Sequence, residues 1–367
     1  MAAARRADPR SLPRLRGTAQ LLHRPSSLRD PAELAREIAG AQAQDVYAGP
    51  LTFRSRSRTI TAAAVKRART EERSLLRTWV MRMTIHMIAT EDAAWMLPLF
   101  EPRIESWSRR RLGQLGMPDR TQQKALRAIA KALESEGPLT RSEAAERVRR
   151  AGVKLTPQTR MHVAGLAVTS GLACLGPDRG KATCLVLRRD WLGEQARFDR
   201  EASLGELARR YLNAFGPATE RDFAKWSGLP LGELRTGLER ISGELRESML
   251  EDETLLSLKG ALRRAPSRPQ LRMLGAFDTY MLGYANRDFA LPPEHEEDFK
   301  AGGGGWLRPV IVRDGVVIGG WSYRRRGPGV DVSLGAPGLL SGADRRAVEG
   351  EVEDIERFEG VPATLAG

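Results

Sequence analysis

Cysteine, histidine and long apolar runs are all scarce in this sequence, and each scarcity argues against a class of protein. Two cysteines among 367 residues are too few for a disulfide framework, so free thiols are expected. The four histidines are scattered, and neither a metal centre nor any other cofactor is expected. No apolar run reaches the length of about eighteen residues that a transmembrane helix needs. The basic amino terminus lacks the apolar segment of a secretory signal, so we expect a cytoplasmic protein without membrane association.

The common signatures of enzymes that use nucleotides, metals or a serine nucleophile are missing as well. The sequence contains no Walker motif, no HExxH, no GxSxG, no paired CxxC and no GxGxxG between a strand and a helix. Any catalytic chemistry must therefore come from other residue types. Charge and amide side chains are the features that remain to be interpreted.

Charge is strongly unbalanced. Lys and Arg total 59 against 46 Asp and Glu, which gives a net charge of +13 and an isoelectric point near 10.3. Such a surplus is typical of nucleic-acid binding, although a GC-rich coding sequence also enriches arginine. Several basic clusters recur on separate predicted modules, and this recurrence favours a groove lined for phosphates. The candidate DNA-binding residues are Arg54, Arg56, Arg179, Lys181, Arg324 and Arg325.

Two amide side chains follow a predicted helix at an unusual place. Asp30 is suited to cap a helix that begins at Pro31 and ends before Gly40. On a regular helix Gln42 and Gln44 would point about 200° apart, so they could not serve one site. If the helix ends first, both amides can turn toward the same pocket. Each offers a donor and an acceptor without charge, which suits the placement of a water molecule.

The order of predicted elements indicates an α+β protein, with tandem winged helix-turn-helix modules followed by a C-terminal β-barrel-like domain. Residues 138–188 read as two helices and a hairpin, with a capping box from Thr140 to Glu143. Asp314-Gly315 between two apolar runs predicts a further hairpin. The predicted segments are a disordered arm at 1–12, winged-helix modules at 13–135, 136–200 and 201–268, and a β-rich domain at 269–367.

Five stretches of the sequence together resemble the AlkZ/YcaQ family of winged-helix DNA glycosylases, in order and over residues 17–360. They are Gln42–Asp45, Leu76–His86, Ala214–Thr219, Phe223–Leu229 and Phe277–Tyr284. Each stretch alone is weak, but the combination is specific. The resemblance implies tandem winged helices and a C-terminal β-barrel around a basic channel for double-stranded DNA that carries alkylated purines. It also implies a monofunctional enzyme that excises bulky or crosslinking alkyl adducts, often as self-resistance to a DNA-alkylating natural product.

The family's catalytic motif is Gln-x-Gln or Gln-x-Asp, so the resemblance implies that Gln42 and Gln44 are catalytic. Alkylation of guanine at N7 makes the base cationic and a good leaving group, so a general acid is not required. The two amides would place water at the sugar carbon. Asp45 either stabilises the developing positive charge or has a solvated or capping role. The enzyme is expected to act as a monomer.

Two other classes of function remain open from the sequence. A winged-helix transcription regulator would need the basic modules but not the glutamine pair, and it would bind DNA sequence-specifically. A non-catalytic DNA-damage binder would keep affinity for the adduct without releasing the base.

Overall fold

The computed structural model of the chain describes residues 5–180, 182–261, 267–300, 307–335 and 340–366. Its contacts form two compact units, one of Met1–Val65 with Leu204–Gly367 and one of Lys66–Ser203. Both units contain helices and strands, which confirms the α+β class. The division differs from the predicted segment 13–135, because the chain up to Val65 packs with the C-terminal part.

The amino-terminal part of the first unit is mainly helical. Its elements are β1 (Arg5–Arg6), α1 (Leu12–Ala19), α2 (Pro31–Glu37), β2 (Ala41–Gln42) and α3 (Ala48–Arg54), and it ends within α4 (Ala62–Thr70). The disordered arm predicted at 1–12 is wrong from residue 5 onward; residues 1–4 lie outside the described ranges. β1 pairs in parallel with Ser248–Met249, and the side chain of Asp8 caps the 3-10 turn Pro9–Ser11. These backbone bonds order the segment.

The unit Lys66–Ser203 carries a sheet in the order β4-β3-β6-β7-β5 and five helices. Its elements are β3 (Leu75–Trp79), β4 (Ile85–Ala89), α5 (Ala93–Gln114), α6 (Asp119–Glu136), β5 (Leu139–Thr140), α7 (Arg141–Arg150), α8 (Pro157–Thr169), β6 (Ala173–Arg179), β7 (Ala182–Leu187) and α9 (Arg188–Leu192). The predicted capping box is present, with Thr140 and Glu143 bonded reciprocally. The succession of two helices and a hairpin predicted for 138–188 is therefore confirmed.

A second helical group precedes the C-terminal sheet of the first unit. It comprises α10 (Arg200–Phe215), α11 (Glu220–Ser227), α12 (Leu231–Arg240), β8 (Leu245–Leu250) and β9 (Glu253–Leu258). Tyr211 stacks on Phe215 and Phe223, with ring centroids 5.1 and 4.7 Å apart. Arg16 lies with its guanidinium 4.0 Å from the ring centroid of Tyr284. Aromatic packing thus joins α1, α10 and α11 to the segment around Tyr284.

The C-terminal part is an open sheet of five strands in sequential order, β10 to β14. Its elements are β10 (Leu271–Leu274), α13 (Thr279–Leu282), α14 (Glu296–Phe299), β11 (Val310–Arg313), β12 (Val316–Arg326), β13 (Gly329–Leu334), α15 (Gly342–Glu359) and β14 (Ala363–Leu365). Asp314 and Gly315 both have positive φ, 52° and 87°, as the predicted two-residue hairpin requires. Within the described ranges β10 and β14 do not pair, so the predicted barrel is a partial one.

The two predicted free thiols are confirmed, and both cysteines are buried in the unit Lys66–Ser203. Throughout the part of the chain that the structure describes, every helix is too short or too polar to cross a membrane.

Candidate active site

The glutamine pair lies in a turn that begins where α2 ends. Asp30 accepts a hydrogen bond from the Ala32 N–H at 2.8 Å and begins the helix as predicted. Ala39 and Gly40 then take positive φ values of 55° and 90°, which a helix cannot continue. The chain becomes extended at Ala41. The expected end of the helix before the glutamines is therefore confirmed.

The turn exposes its two amides unequally. Ala41 and Ala43 are buried and anchor the segment in the protein interior. Gln42 is only 5% exposed, whereas Gln44 is an exposed residue. One amide is thus held within the protein and the other is presented at the surface, two residues further along.

A threonine from the C-terminal part of the chain fixes this turn. The hydroxyl of Thr279 accepts the backbone N–H of Gln42 and donates to the carbonyl of Gly40, each at 3.3 Å. Thr279 opens the short helix α13, whose cap is Asp278. The position of Gln42 therefore depends on a residue 237 positions away.

The side chain of Asp45 has a capping role. One of its oxygens, Oδ1, accepts the backbone N–H groups of Tyr47 at 2.7 Å and Ala48 at 2.9 Å. These bonds satisfy donors at the start of α3, as capping carboxylates do. Of the two roles left open by the sequence, the structure shows capping. Its carboxylate also keeps negative charge within the turn.

Strand β12 brings further polar groups to the same place. Burial raises the pKa of Tyr323, and the nearby carboxylates of Asp45 and Glu359 raise it further. Arg325 lies on the same face of the strand as Tyr323 and forms an ion pair with Glu359. Asp45 and Arg325 therefore both act electrostatically on Tyr323. Arg324 is exposed and points to the opposite face of the strand.

The assignment of Arg54 and Arg56 to DNA binding is wrong. Arg54 is 1% exposed and pairs with Glu351 at 3.0 Å and Asp354 at 3.1 Å. Arg56 is 0% exposed and pairs with Asp278 at 2.7 Å. Guanidinium groups that are buried and already paired with carboxylates cannot reach a phosphate, and removal of one partner would leave the other as an unpaired buried charge. No local pattern indicates these carboxylate partners, because they lie more than 200 positions away along the chain.

The remaining predicted DNA contacts belong to the unit Lys66–Ser203. Arg179 is exposed at the tip of the β6–β7 hairpin, where it pairs with Glu143 at 2.7 Å and donates to the carbonyl of Pro138. The other hairpin residue, Lys181, lies outside the described residues. Arg179 is thus accessible to DNA, although one face of its guanidinium is already engaged.

Sequence reasoning missed the residues that support the glutamine turn. Thr279 and Asp278 belong to the stretch Phe277–Tyr284, which was noticed only as part of a family resemblance. Both residues lie far from Gln42 along the chain, so no sequence pattern around Gln42 indicates that they contact it. The electrostatic contact of Tyr323 with Asp45 was missed for the same reason. The register of β12 in its sheet decides the position of Tyr323, and the sequence around Asp45 does not indicate that register.

Comparison with known proteins identifies the family of the chain. The model of a family described as "DNA glycosylase AlkZ-like" matches residues 35–358. The protein is therefore a DNA glycosylase. It belongs to the AlkZ-like family of these enzymes.

Two relatives extend the comparison. An "Interstrand DNA cross-link repair glycosylase" of Streptomyces sahachiroi is 28% identical over 318 residues, which are 79% of this chain and 81% of that protein. The structure of the Streptomyces sahachiroi DNA glycosylase AlkZ matches with a TM-score of 0.76 and 24% identity. That match covers 98% of this chain and 100% of the other, so the two proteins share a fold.

Proposed function

We propose that the protein hydrolyses the N-glycosidic bond of N7-alkylguanine in double-stranded DNA, and that Gln42 and Gln44 position the attacking water. The observation that carries this proposal is the geometry of the turn. Gln-x-Gln stands outside any helix, in a backbone fixed by Thr279 on one side and by Asp45 on the other. Fixed amides can orient a water molecule without ionising.

The chemistry balances without an external acid. The water oxygen forms a bond to C1′ of the sugar while the bond from C1′ to N9 of the base breaks. The electron pair of that bond neutralises the cationic base, and the proton of the water leaves to solvent. Positive charge develops on the sugar in between, and the carboxylate of Asp45 is available to stabilise it. In this proposal Asp45 combines its capping role with electrostatic support.

Binding of DNA is proposed to use winged-helix modules at 136–200 and 201–268. The succession β5-α7-α8-β6-β7 supports the first module, and α10-α11-α12-β8-β9 supports the second. Phosphate contacts come from exposed arginines at the hairpin tips, and the enzyme acts as a cytoplasmic monomer. The candidate contacts are Arg179, Arg324 and Arg325.

Bulky adducts are the proposed substrates. The Streptomyces sahachiroi relative is named as an interstrand cross-link repair glycosylase, and that name favours adducts too large for a narrow base pocket. We extend the proposed substrates to adducts of DNA-alkylating natural products, which a producing cell must repair to survive. Unhooking of interstrand crosslinks would be one form of the same reaction.

Release of the base leaves an abasic site, which heat or alkali converts to a strand break visible on a gel. We expect cleavage of DNA that contains N7-methylguanine or a bulkier N7 adduct. Gln42→Ala and Gln44→Ala should each slow release by about a hundredfold, the scale of losing one positioned catalytic contact. The matched control is Gln195→Ala, since Gln195 is an exposed glutamine outside the Gln-x-Gln motif. Release at the normal rate by the double alanine variant would refute the assignment.

The same assay separates the competing functions. A transcription regulator would bind DNA without preference for the adduct, and a silent damage binder would bind the adduct without breaking the strand. Uracil is a neutral leaving group, and its excision together with no activity on any N7 adduct would overturn the proposed chemistry.

A further inference from the structure

Two large apolar side chains are exposed immediately after Gln44. Val46 is 51% exposed and Tyr47 is 56% exposed. Single exposed apolar residues are ordinary on protein surfaces and carry no argument alone. These two, however, adjoin the residue proposed to face the glycosidic bond. The next aromatic residue along the chain, Phe53, is fully buried, so Tyr47 is the aromatic group of this segment that DNA can reach.

The backbone that carries Tyr47 is rigidly held. Its N–H donates to Oδ1 of Asp45 at 2.7 Å, and the neighbouring N–H of Ala48 donates to the same oxygen. Helix α3 then packs closely on Gly275, where a Cβ atom would lie 3.1 Å from the carbonyl oxygen of Ala48. An exposed ring on a fixed backbone loses little conformational freedom on binding, because only two side-chain torsions remain.

Tyr47 lies near Tyr323 of β12 and helps to raise the pKa of that residue. Exposed aromatic rings are the side chains on which proteins stack nucleobases. Three residues of extended chain span at most about 11 Å, and bases on one strand are about 3.4 Å apart. The Cα atoms of Gln44 and Tyr47 therefore lie at most about three base steps apart.

We propose that the ring of Tyr47 stacks on a nucleobase next to the adduct and thereby sets the adduct's position against Gln42 and Gln44. This inference rests on the proposed function, since it assumes that the glutamine turn faces the lesion. Tyr47 is a DNA-binding residue in this proposal and takes no part in breaking the bond. Stacking tolerates any base, so Tyr47 adds affinity without imposing a sequence preference.

The test uses a duplex that carries 2-aminopurine beside a 2′-fluoro N7-methylguanine nucleotide. The fluorine opposes positive charge at C1′ and slows cleavage, so binding can be measured whether or not the glutamines are catalytic. The variants are Tyr47→Phe, which keeps the ring, and Tyr47→Leu, which keeps apolar bulk but removes the flat face. We expect Tyr47→Phe to retain the change in 2-aminopurine fluorescence and the affinity. We expect Tyr47→Leu to lose the fluorescence change and to raise Kd about tenfold.

Two further readouts exclude a structural explanation. The thermal midpoint of Tyr47→Leu should equal that of the wild-type protein, because the side chain is exposed. On the ordinary N7-methylguanine substrate, the single-turnover rate of Tyr47→Leu at saturating protein should fall, because the adduct is no longer held against Gln42 and Gln44, whereas Tyr47→Phe should keep the wild-type rate. Unaltered affinity and fluorescence in Tyr47→Leu would overturn the stacking proposal while leaving the glutamine assignment intact. Normal excision by the Gln42 and Gln44 variants would instead overturn the catalytic assignment and leave the Tyr47 result standing.

Discussion

Arg56 and Asp278 form a bidentate ion pair in which both side chains are fully buried. The guanidinium nitrogens of Arg56 donate to both carboxylate oxygens of Asp278, at 2.9 and 2.7 Å. One of these nitrogens also donates to Oε1 of Gln20 at 2.9 Å. Geometry of this kind matches the planar fork of arginine and is not reproduced by lysine.

This ion pair connects directly to the glutamine turn. Asp278 also accepts the backbone N–H of Tyr280 and so caps the short helix that Thr279 opens. Thr279 in turn holds Gln42 and Gly40. A residue interpreted from the sequence as a phosphate contact therefore supports the turn from inside.

Loss of the Arg56 side chain is expected to lower the free energy of unfolding. Arg56→Ala leaves the buried carboxylate of Asp278 without its cation, and removal of one partner of a buried pair costs about 3–5 kcal/mol. Urea unfolding should show this loss, and Arg56→Lys should recover only part of it. In the double variant Arg56→Ala/Asp278→Asn the loss should be smaller than the sum of the single losses. A normal unfolding free energy with weakened DNA binding would restore Arg56 to the DNA interface.

The hydroxyl of Thr279 is expected to increase the rate of base excision, because it holds Gln42 in position. Thr279→Val keeps the shape but removes the hydroxyl that bonds Gln42 and Gly40. We expect a roughly tenfold fall in kcat, since small displacements of a positioned group are costly, with little change in DNA affinity. Thr279→Ser retains the hydroxyl and should restore the rate. Equal rates for Thr279→Val and Thr279→Ser would show that the hydroxyl does not position the turn.

The sequence predicted local structure well where the signal is local. The cap at Asp30, the end of α2 before Gly40 and the hairpin at Asp314-Gly315 were all legible from residues a few positions apart. Each follows from backbone chemistry that neighbouring residues decide. The Gln-x-Gln motif itself was legible only through its resemblance to a family.

The distribution of charge along the sequence led to wrong predictions of DNA-binding residues. Arg54 and Arg56 look in the sequence like a basic cluster, and nothing nearby shows that Glu351, Asp354 and Asp278 neutralise them. Burial of arginine depends on partners that only the tertiary fold supplies. The strand Arg5–Arg6 was missed for the same reason, because its pairing partners lie in β8.

Arg179 is expected to contribute one phosphate contact. Arg179→Ala should weaken binding to DNA of any sequence and reduce the slope of log K against log salt by about 1. Arg346→Ala is a suitable control, since Arg346 is an exposed arginine of α15 outside the proposed contacts.

Glu143→Gln should have the opposite effect on DNA affinity. Glutamine can keep the capping box while it releases Arg179 from its ion pair, so affinity should rise. A salt slope unchanged in Arg179→Ala would remove the hairpin tip from the interface.

His23 is expected to make stability depend on pH. Burial lowers the pKa of His23 from 6.5 to about 4, so the folded protein holds it neutral, with its Nδ1 3.1 Å from the hydroxyl of Thr18. As pH falls below 6.5 the unfolded chain takes up a proton at this site, and the folded protein does not do so until about pH 4. The unfolding free energy should therefore decrease over this window, by on the order of 3 kcal/mol from this residue.

His23→Asn isolates this contribution, because an amide can still bond the Thr18 hydroxyl but does not titrate. Urea unfolding of both proteins at several values between pH 8 and pH 4 gives the comparison. The carboxylates and the other histidines are common to both, so their titration cancels in the difference. The wild-type curve should fall more steeply than that of the variant between pH 6.5 and 4, and the two should run parallel above pH 7. Parallel curves over the whole range would mean that His23 has the same pKa in the folded and unfolded states.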